Sequence, residues 1–200
     1  MVQFPVKSSE TRKWIICGCY IAVTFILLLP LFFVQHPQAI DLPNHLARLY
    51  VHQSPESSVL KQLYTFSWIL IPDLAMDVLA APLQYFFSIY DCGRIILAII
   101  IILWVLAPAF LYRALWGHWG LWPLVASLVV YNANLAWGFT AYLLTTALAV
   151  ISFSGWVATK PTDGTTGKKR IILFSLISFL IYCGHLIAFG IFALLIVSSE

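Results

Sequence analysis

The residues best suited to chemistry in this sequence lie in the stretch AIDLPNHLARLY and just beyond it. At 100° per residue, one face of a helix over this stretch carries four of its polar side chains, at spacing i, i+4, i+7 and i+11: Asp41, His45, Arg48 and His52. A carboxylate can accept the proton of a hydroxyl, and a guanidinium forms charge-assisted hydrogen bonds to phosphate. The structural alternatives are an N-cap for Asp41, ahead of Pro43, and an interfacial cation for Arg48.

A second acidic group follows at Asp73 and Asp77, which would share a helical face with Gln84. No Lys or Arg stands at helical spacing to neutralise either acid, and like charges four residues apart repel. We therefore expect one acid to have a raised pKa or to meet a cation from elsewhere, as in many acid/base sites. The alternative is that both acids cap and solvate a surface helix.

The composition predicts that these residues belong to an integral membrane protein. The chain is 62% hydrophobic and only 10% charged, and its mean hydropathy is +0.92. Apolar runs of about 20 residues, enough to cross a bilayer, recur along it. We predict an all-α fold, a polytopic transmembrane helical bundle with interfacial helices in its first external loop.

The predicted organisation has eight parts. They are a cytoplasmic N-terminus (1–13), a first span (14–34), an external loop with two amphipathic helices (35–93), spans at 94–112, 120–137 and 138–158, a basic cytoplasmic loop (159–170), and a fifth span with the start of a further one (171–200).

The orientation depends on whether residues 70–88, which contain Asp73 and Asp77, cross the membrane. If they cross, most basic residues lie outside, which inverts the usual cytoplasmic excess of Lys and Arg. Two carboxylates within a span would also each cost about 2.5 to 3.5 kcal/mol. We favour a surface position for 70–88, which leaves these residues cytoplasmic: Lys7, Arg12, Lys13, Arg113, Lys160, Lys168, Lys169 and Arg170.

This order of parts resembles the N-terminal half of the polytopic GT-C glycosyltransferases. The resemblance rests on DLPNHLAR (41–48), on IPDL (71–74), and on SIYDCGR (88–94) leading into a span that ends YRALWG (112–117). It implies transfer of a sugar from a polyprenyl-phosphate donor at the external membrane face, by the whole enzyme or its N-terminal portion. By position, Asp41 would be the catalytic base.

The resemblance also suggests the surroundings of that base. Arg48 would bind the donor phosphate. The residues expected to line the acceptor side are His45, Asp73, Asp77, His185 and Asn134. A divalent metal is conceivable from the ligand types, but Leu42 stands beside Asp41 where many members carry a second acid, so no metal or other cofactor is expected.

The expected partners are membrane lipid, a polyprenyl-phosphate-linked sugar and an additional membrane subunit, with no nucleic acid because the positive charge sits in clustered loops. The expected location is a bacterial inner membrane with a cytoplasmic N-terminus. The competing hypothesis is a non-catalytic membrane subunit or a small transporter. A transporter would need Asp73 and Asp77 within the bilayer, facing the interior of a helix bundle.

Overall fold

The computed structural model describes residues 10–34, 37, 39–65, 67–161 and 167–200, and all regular structure in these residues is helical. This confirms the all-α part of the predicted fold class. In chain order the elements are α1 (Glu10–Phe33), α2 (Leu42–Gln53), α3 (Val59–Leu63), α4 (Ala75–Leu83), α5 (Ile89–Trp116), a 3-10 helix (Trp122–Val129), α6 (Ala133–Trp137), α7 (Thr140–Ala158), α8 (Lys168–Gly184) and α9 (Leu186–Ser199).

Three of these helices, α1, α5 and α7, are long and apolar enough to cross a membrane. Their most apolar windows have mean hydropathies of 2.5, 2.8 and 1.6. The 28 residues of α5 extend for about 42 Å, which exceeds the roughly 30 Å of a hydrocarbon core. Helix α1 leaves large side chains exposed, among them Trp14, Phe25 and Phe33, as a lipid-facing helix does.

The centre of the molecule is the contact between α5 and α7. Trp104 of α5 donates from its indole nitrogen to the carbonyl of Leu143 at 3.0 Å, and Ile96, Ile100 and Leu143 are almost fully buried. Helices α8 and α9 form an antiparallel hairpin that turns at His185, whose backbone is extended (φ −167°, ψ 130°). The hairpin packs against α7 and closes the bundle.

Residues 120–137, expected as one span, form two short helices. The chain here runs as the 3-10 helix and then α6, and the two are separated at Asn132. The Asn132 side chain accepts from the backbone N–H of Leu135 and so starts a new helix. Gly138 then ends α6 with φ at +82°. These local stop and start signals override the continuous apolar run.

Residues 70–88 contain α4, which has only nine residues and a length of about 14 Å. The chain before it, including Asp73, is not helical, and Gln84 follows the helix as its C-cap. The predicted alignment of Asp73, Asp77 and Gln84 on one helix face is therefore wrong. The hydrogen bond from Leu74 N–H to the carbonyl of Cys183 (3.0 Å) holds the chain outside helical geometry at this point.

The described residues 39–65 and 67–88, which we call the cap, lie at one end of the bundle. Leu74 binds the C-terminal end of α8, and Arg94 near the start of α5 lies 3.5 Å from the Val34 carbonyl after α1. At the opposite end, Arg170 at the start of α8 donates to the Trp156 carbonyl of α7 at 2.8 Å. The basic residues of the expected cytoplasmic set fall at this opposite end, except Lys7, which lies outside the described residues.

Candidate functional site

The start of α2 is fixed by α6. Ile40 and Asp41 donate their backbone N–H groups to the carbonyls of Ala136 and Trp137, at 3.0 and 2.9 Å. This contact needs a glycine at 138, because a Cβ there would lie 2.8 Å from the Asp41 nitrogen. The Asp41 side chain does not form the expected N-cap hydrogen bond to a backbone N–H. Its Oδ1 accepts instead from the side-chain amide Nδ2 of Asn44 at 2.9 Å.

Asp73 lies between α3 and α4 in an unusual backbone conformation. Its φ of +99° is the one positive value found for a non-glycine among the described residues. The hydrogen bond from Leu74 to Cys183 follows directly, and Thr140 then donates to the Met76 sulfur at 3.0 Å. Asp73 is therefore held against the ends of α7 and α8, and a strained backbone held in this way is typical of functional positions.

Arg48 and Asp77 join α2 to α4. The Nη2 atom of Arg48 lies 2.8 Å from each carboxylate oxygen of Asp77. The Asp77 side chain is 6% exposed and that of Arg48 is 41% exposed. Arg48 is thus a cation from elsewhere, which the sequence analysis gave as one of two alternatives for one of the acids.

His45 lies beside this pair on the same face of α2. Its Nδ1 is 3.4 Å from Arg48 Nη2, and its Nε2 is 3.8 Å from Asp41 Oδ2. Burial lowers the pKa of His45, and the Arg48 guanidinium lowers that pKa further, against the opposing effect of Asp41. We therefore treat His45 as a neutral imidazole at pH 7.

Asp73 has a raised pKa, first because its carboxyl group is partly desolvated and also because Asp77 is nearby. The Arg48 guanidinium opposes that rise, as do the imidazoles of His45 and His185 in their protonated forms. All four groups are therefore close enough to Asp73 to influence its pKa. The sequence led us to expect that one acid has a raised pKa or meets a cation from elsewhere. In the structure Asp77 meets the Arg48 cation, and burial raises the pKa of Asp73.

His185 and Asn134 have different relations to the cluster formed by His45, Arg48, Asp73 and Asp77. The Nδ1 of His185 accepts from the Ile187 N–H at 3.3 Å and caps α9, while its ring contacts Tyr142 at 5.3 Å. Within the described residues, Asn134 makes no side-chain hydrogen bond or ion pair to the cluster; its backbone carbonyl accepts from Phe139. The structure brings His185 near Asp73. No contact of the Asn134 side chain with the cluster is found among the described residues.

A cavity of about 570 Å³ opens beside the cluster, within the range of small-molecule sites. Its polar lining includes Arg48, Asp73 and Asp77, and its apolar lining comes largely from the irregular chain between α3 and α4. The aromatic members of the lining are Tyr50, Tyr64 and Trp68. Asp41 is not among the lining residues.

The aromatic residues were not predicted as site residues. Tyr64 and Trp68 fall in an apolar stretch with no helical or strand periodicity, so nothing in the sequence gives them a common direction. The only available signal was the number of aromatic residues in a segment interrupted by Pro72.

No group of three or more His, Cys, Asp or Glu side chains in the described part of the chain is arranged to hold a metal ion. The cluster instead joins one base, His45, to one cation and two acids, and the cation and both acids line the amphipathic cavity. This arrangement can bind a polar group by hydrogen bonds and accept a proton from it.

Comparison with known proteins adds no assignment, since no family model, no curated protein and no solved structure matches this chain.

Proposed function

We propose that this protein is a multi-pass membrane glycosyltransferase, or the N-terminal portion of one, that transfers a sugar from a polyprenyl-phosphate donor to a hydroxyl acceptor at the cap end of the bundle. The observation that carries the proposal is the amphipathic cavity, in which Asp73, Asp77 and Arg48 adjoin a largely apolar and aromatic wall. A lipid-linked sugar likewise combines a polar headgroup with an apolar chain.

The proposed base is Asp73, although the sequence pointed to Asp41. Asp73 lines the cavity, whereas the Asp41 carboxylate lies outside it and accepts a hydrogen bond from Asn44. A raised pKa also improves Asp73 as a base, because a catalytic carboxylate works best when its pKa approaches the working pH.

In the proposed step, the acceptor oxygen attacks the anomeric carbon of the donor sugar and forms the new glycosidic bond. The bond from that carbon to the phosphate oxygen breaks, and polyprenyl phosphate leaves with the electron pair. The hydroxyl proton passes to the Asp73 carboxylate. Arg48 holds the Asp77 carboxylate in an ion pair beside Asp73.

The position of the acids favours this function over a small transporter. Met76 accepts a hydrogen bond from Thr140, the first residue of α7. Leu74 donates its backbone N–H to Cys183, the next-to-last residue of α8. The acids therefore lie at helix ends, where a substrate at a membrane surface would reach them. A transport pathway would instead place them midway along the helices.

The test uses membranes from cells that produce the full chain, supplied with radiolabelled undecaprenyl-phosphate sugars. We expect release of undecaprenyl phosphate above that of membranes lacking the chain. Asp73→Asn should lower this rate by about 100-fold or more, as loss of a general base does. Asp41→Asn is the matched control, since it neutralises a nearby carboxylate outside the cavity.

The outcomes separate the roles. If Asp41→Asn abolishes transfer and Asp73→Asn does not, the transferase proposal stands and the base is Asp41, as the sequence suggested. If neither variant alters a measured turnover, both assignments of the base are contradicted. If no donor is consumed, the transferase proposal itself is contradicted. A non-catalytic membrane subunit is then the better description, with the ion pair serving packing alone.

A further inference from the structure

We propose that this protein binds a phospholipid of its own membrane, with the lipid phosphate at Arg94 and one acyl chain in an apolar groove between α1, α5 and α6. The site lies across α2 from the cavity of the proposed function, and among the described residues the two linings share only Ala47 and Tyr50. The inference does not depend on sugar transfer.

The sequence of α5 places Arg94 at the level of the lipid headgroups. Arg94 and Arg113 flank a stretch of this helix that contains no charged residue and extends for about 28 Å. This length matches the roughly 30 Å hydrocarbon core of a bilayer. Each arginine therefore falls at one boundary of the core, where the phosphate groups begin.

A cavity of about 810 Å³ opens beside Arg94, between α2 and the start of α5. Arg94 is the one charged side chain among the described residues that line it. Its side chain is 34% exposed, and its contacts with Asp91 Oδ1 and with the Val34 carbonyl are both 3.5 Å long. A guanidinium carries five N–H donors, and its hydrogen bonds to phosphate are shorter, about 2.7 to 2.9 Å. Arg94 can therefore donate to a phosphate while it keeps both contacts.

Asp91 decides the charge type of the headgroup. It lies one turn before Arg94, its side chain is 48% exposed, and its Oδ2 accepts from the Ser88 hydroxyl at 2.6 Å. Because Arg94 and Asp91 together are neutral, an anionic headgroup gains no net attraction from them. A zwitterionic headgroup with a primary ammonium fits better, since its phosphate can bind Arg94 while its ammonium lies beside Asp91.

An apolar groove of about 450 Å³ continues from this cavity toward the middle of α5. Pro37 lines both the cavity and the groove. Leu97 and Ile101, which also line the groove, follow Arg94 at i+3 and i+7 and so lie on the same face of α5. A lipid with its phosphate at Arg94 would therefore direct an acyl chain along this face.

The lining of the groove offers an acyl chain only apolar surface. None of the described residues that line it is charged. Its two polar side chains are already used within the protein, because Tyr131 donates to the Leu27 carbonyl at 2.6 Å and the Asn132 amide bonds to neighbouring backbone groups. Contact with an acyl chain thus leaves no polar group of the lining without a partner.

The experiment measures lipid binding directly. The full chain is purified in detergent and titrated with one lipid at a time, and native mass spectrometry measures the fraction of protein that retains one lipid. The probes are dioleoyl phosphatidylethanolamine, dioleoyl phosphatidylglycerol and dioleoylglycerol, and inorganic phosphate is the competitor. We expect phosphatidylethanolamine to bind at least about tenfold more tightly than dioleoylglycerol, which lacks the phosphate, and no less tightly than phosphatidylglycerol.

Three variants test the two parts of the site. Arg94→Gln should weaken retention of phosphatidylethanolamine by about tenfold or more, because it removes the charge-assisted hydrogen bonds. Arg113→Gln is the matched control, since this arginine lies near the other end of α5 and lines neither cavity. Ala136→Phe fills the groove from an exposed position of α6 and should weaken retention to a similar extent while Arg94 is unchanged. It keeps the test decisive if Arg94→Gln does not fold.

Equal retention of dioleoylglycerol or tighter retention of phosphatidylglycerol would overturn the inference. Wild-type retention in either Arg94→Gln or Ala136→Phe would do the same, as would an equal loss in Arg113→Gln. Displacement of the lipid by an equal concentration of inorganic phosphate would also contradict it, because a chain bound in the groove must add to the affinity. None of these measurements uses a sugar donor, so their outcome is separate from that of the transferase test.

Discussion

Arg48 and Asp77 form an ion pair whose partners differ in solvent exposure. This difference predicts which substitution destabilises the protein more. Asp77 is 6% exposed and Arg48 is 41% exposed. A buried carboxylate that loses its cation keeps its desolvation penalty, whereas a half-exposed guanidinium that loses its carboxylate is hydrated by water. The two single substitutions should therefore differ in cost.

We predict that Arg48→Met destabilises the protein by about 3 kcal/mol, because it leaves Asp77 buried and unpaired. Asp77→Asn should cost about 1 kcal/mol. The double variant Arg48→Met/Asp77→Leu should recover most of the loss caused by Arg48→Met. Thermal unfolding of the full chain in detergent measures all three, and equal effects of the two single substitutions would show that burial of Asp77 does not control the pair.

His45 gives a prediction about pH. Its folded-state pKa is lowered by burial and by Arg48, so the unfolded chain takes up the proton first as the pH falls. The stability that neutral His45 contributes is present above about pH 6.5 and is lost as the pH falls from that value toward the lowered folded-state pKa. His45→Gln should remove this loss.

The measurement compares unfolding temperatures of the wild type and His45→Gln at about pH 7.5 and about pH 5.5. The difference between the two proteins isolates His45, because Asp73 is present in both. Asp73 has a raised pKa and so contributes to the pH dependence of stability in the opposite sense. The stability from Asp73 is present at low pH and is lost as the pH rises through its folded-state pKa. Parallel pH profiles for the two proteins would contradict the prediction.

At the scale of elements, α2 was predictable and its surroundings were not. Its Pro43, its polar face and its leucines are local signals, and they correctly predicted a helix that carries His45 and Arg48. The position of α2 is set by the two residues just before it, Ile40 and Asp41, which donate backbone hydrogen bonds to α6. That contact depends on the close approach of Gly138, 97 positions along the chain from Asp41.

We predict that Gly138→Ala destabilises the protein more than Gly117→Ala. Both glycines have positive φ, +82° and +75°, so an alanine should cost about 1 kcal/mol in backbone strain at either position. A Cβ at 138 would also lie 2.8 and 2.9 Å from the backbone nitrogens of Asp41 and Leu42, whereas a Cβ at 117 would meet nothing within 4 Å.

Unfolding temperatures of the two variants measure the difference. Gly138→Ala should also weaken transfer activity, because displacement of α2 moves Arg48 away from Asp77. If the two variants lose the same stability, the contact between α6 and α2 does not hold the cap in place.

At the scale of the whole molecule, the two ends of the bundle differ in charge. The cap end holds Arg48 and Lys61, with Arg94 at the start of α5, and each of these lies near an acid. The basic residues at the opposite end are Arg12, Lys13, Arg113, Lys160, Lys168, Lys169 and Arg170. This asymmetry favours a cytoplasmic position for the end opposite the cap.

The orientation can be measured with single cysteines in a chain whose Cys17, Cys19, Cys92 and Cys183 are replaced by alanine. In intact cells, a membrane-impermeant thiol reagent should label Tyr85→Cys in the cap, because this position is 83% exposed. Gly167→Cys at the opposite end should be protected until the cells are opened. Labelling of position 167 with protection of position 85 would contradict the proposed orientation and would place the site on the cytoplasmic side.

The sequence by itself determined the helical class, the long apolar helices and the polar face of α2, because hydropathy and helical periodicity act over a few turns of the chain. Only the tertiary structure decided that Arg48 pairs with Asp77 and that Asp73 is strained against α8. It also decided that Tyr64 and Trp68 line the same cavity. These arrangements join residues from different elements, up to 109 positions apart for Leu74 and Cys183. Local patterns carry no information about such contacts, which arise only when the helices pack.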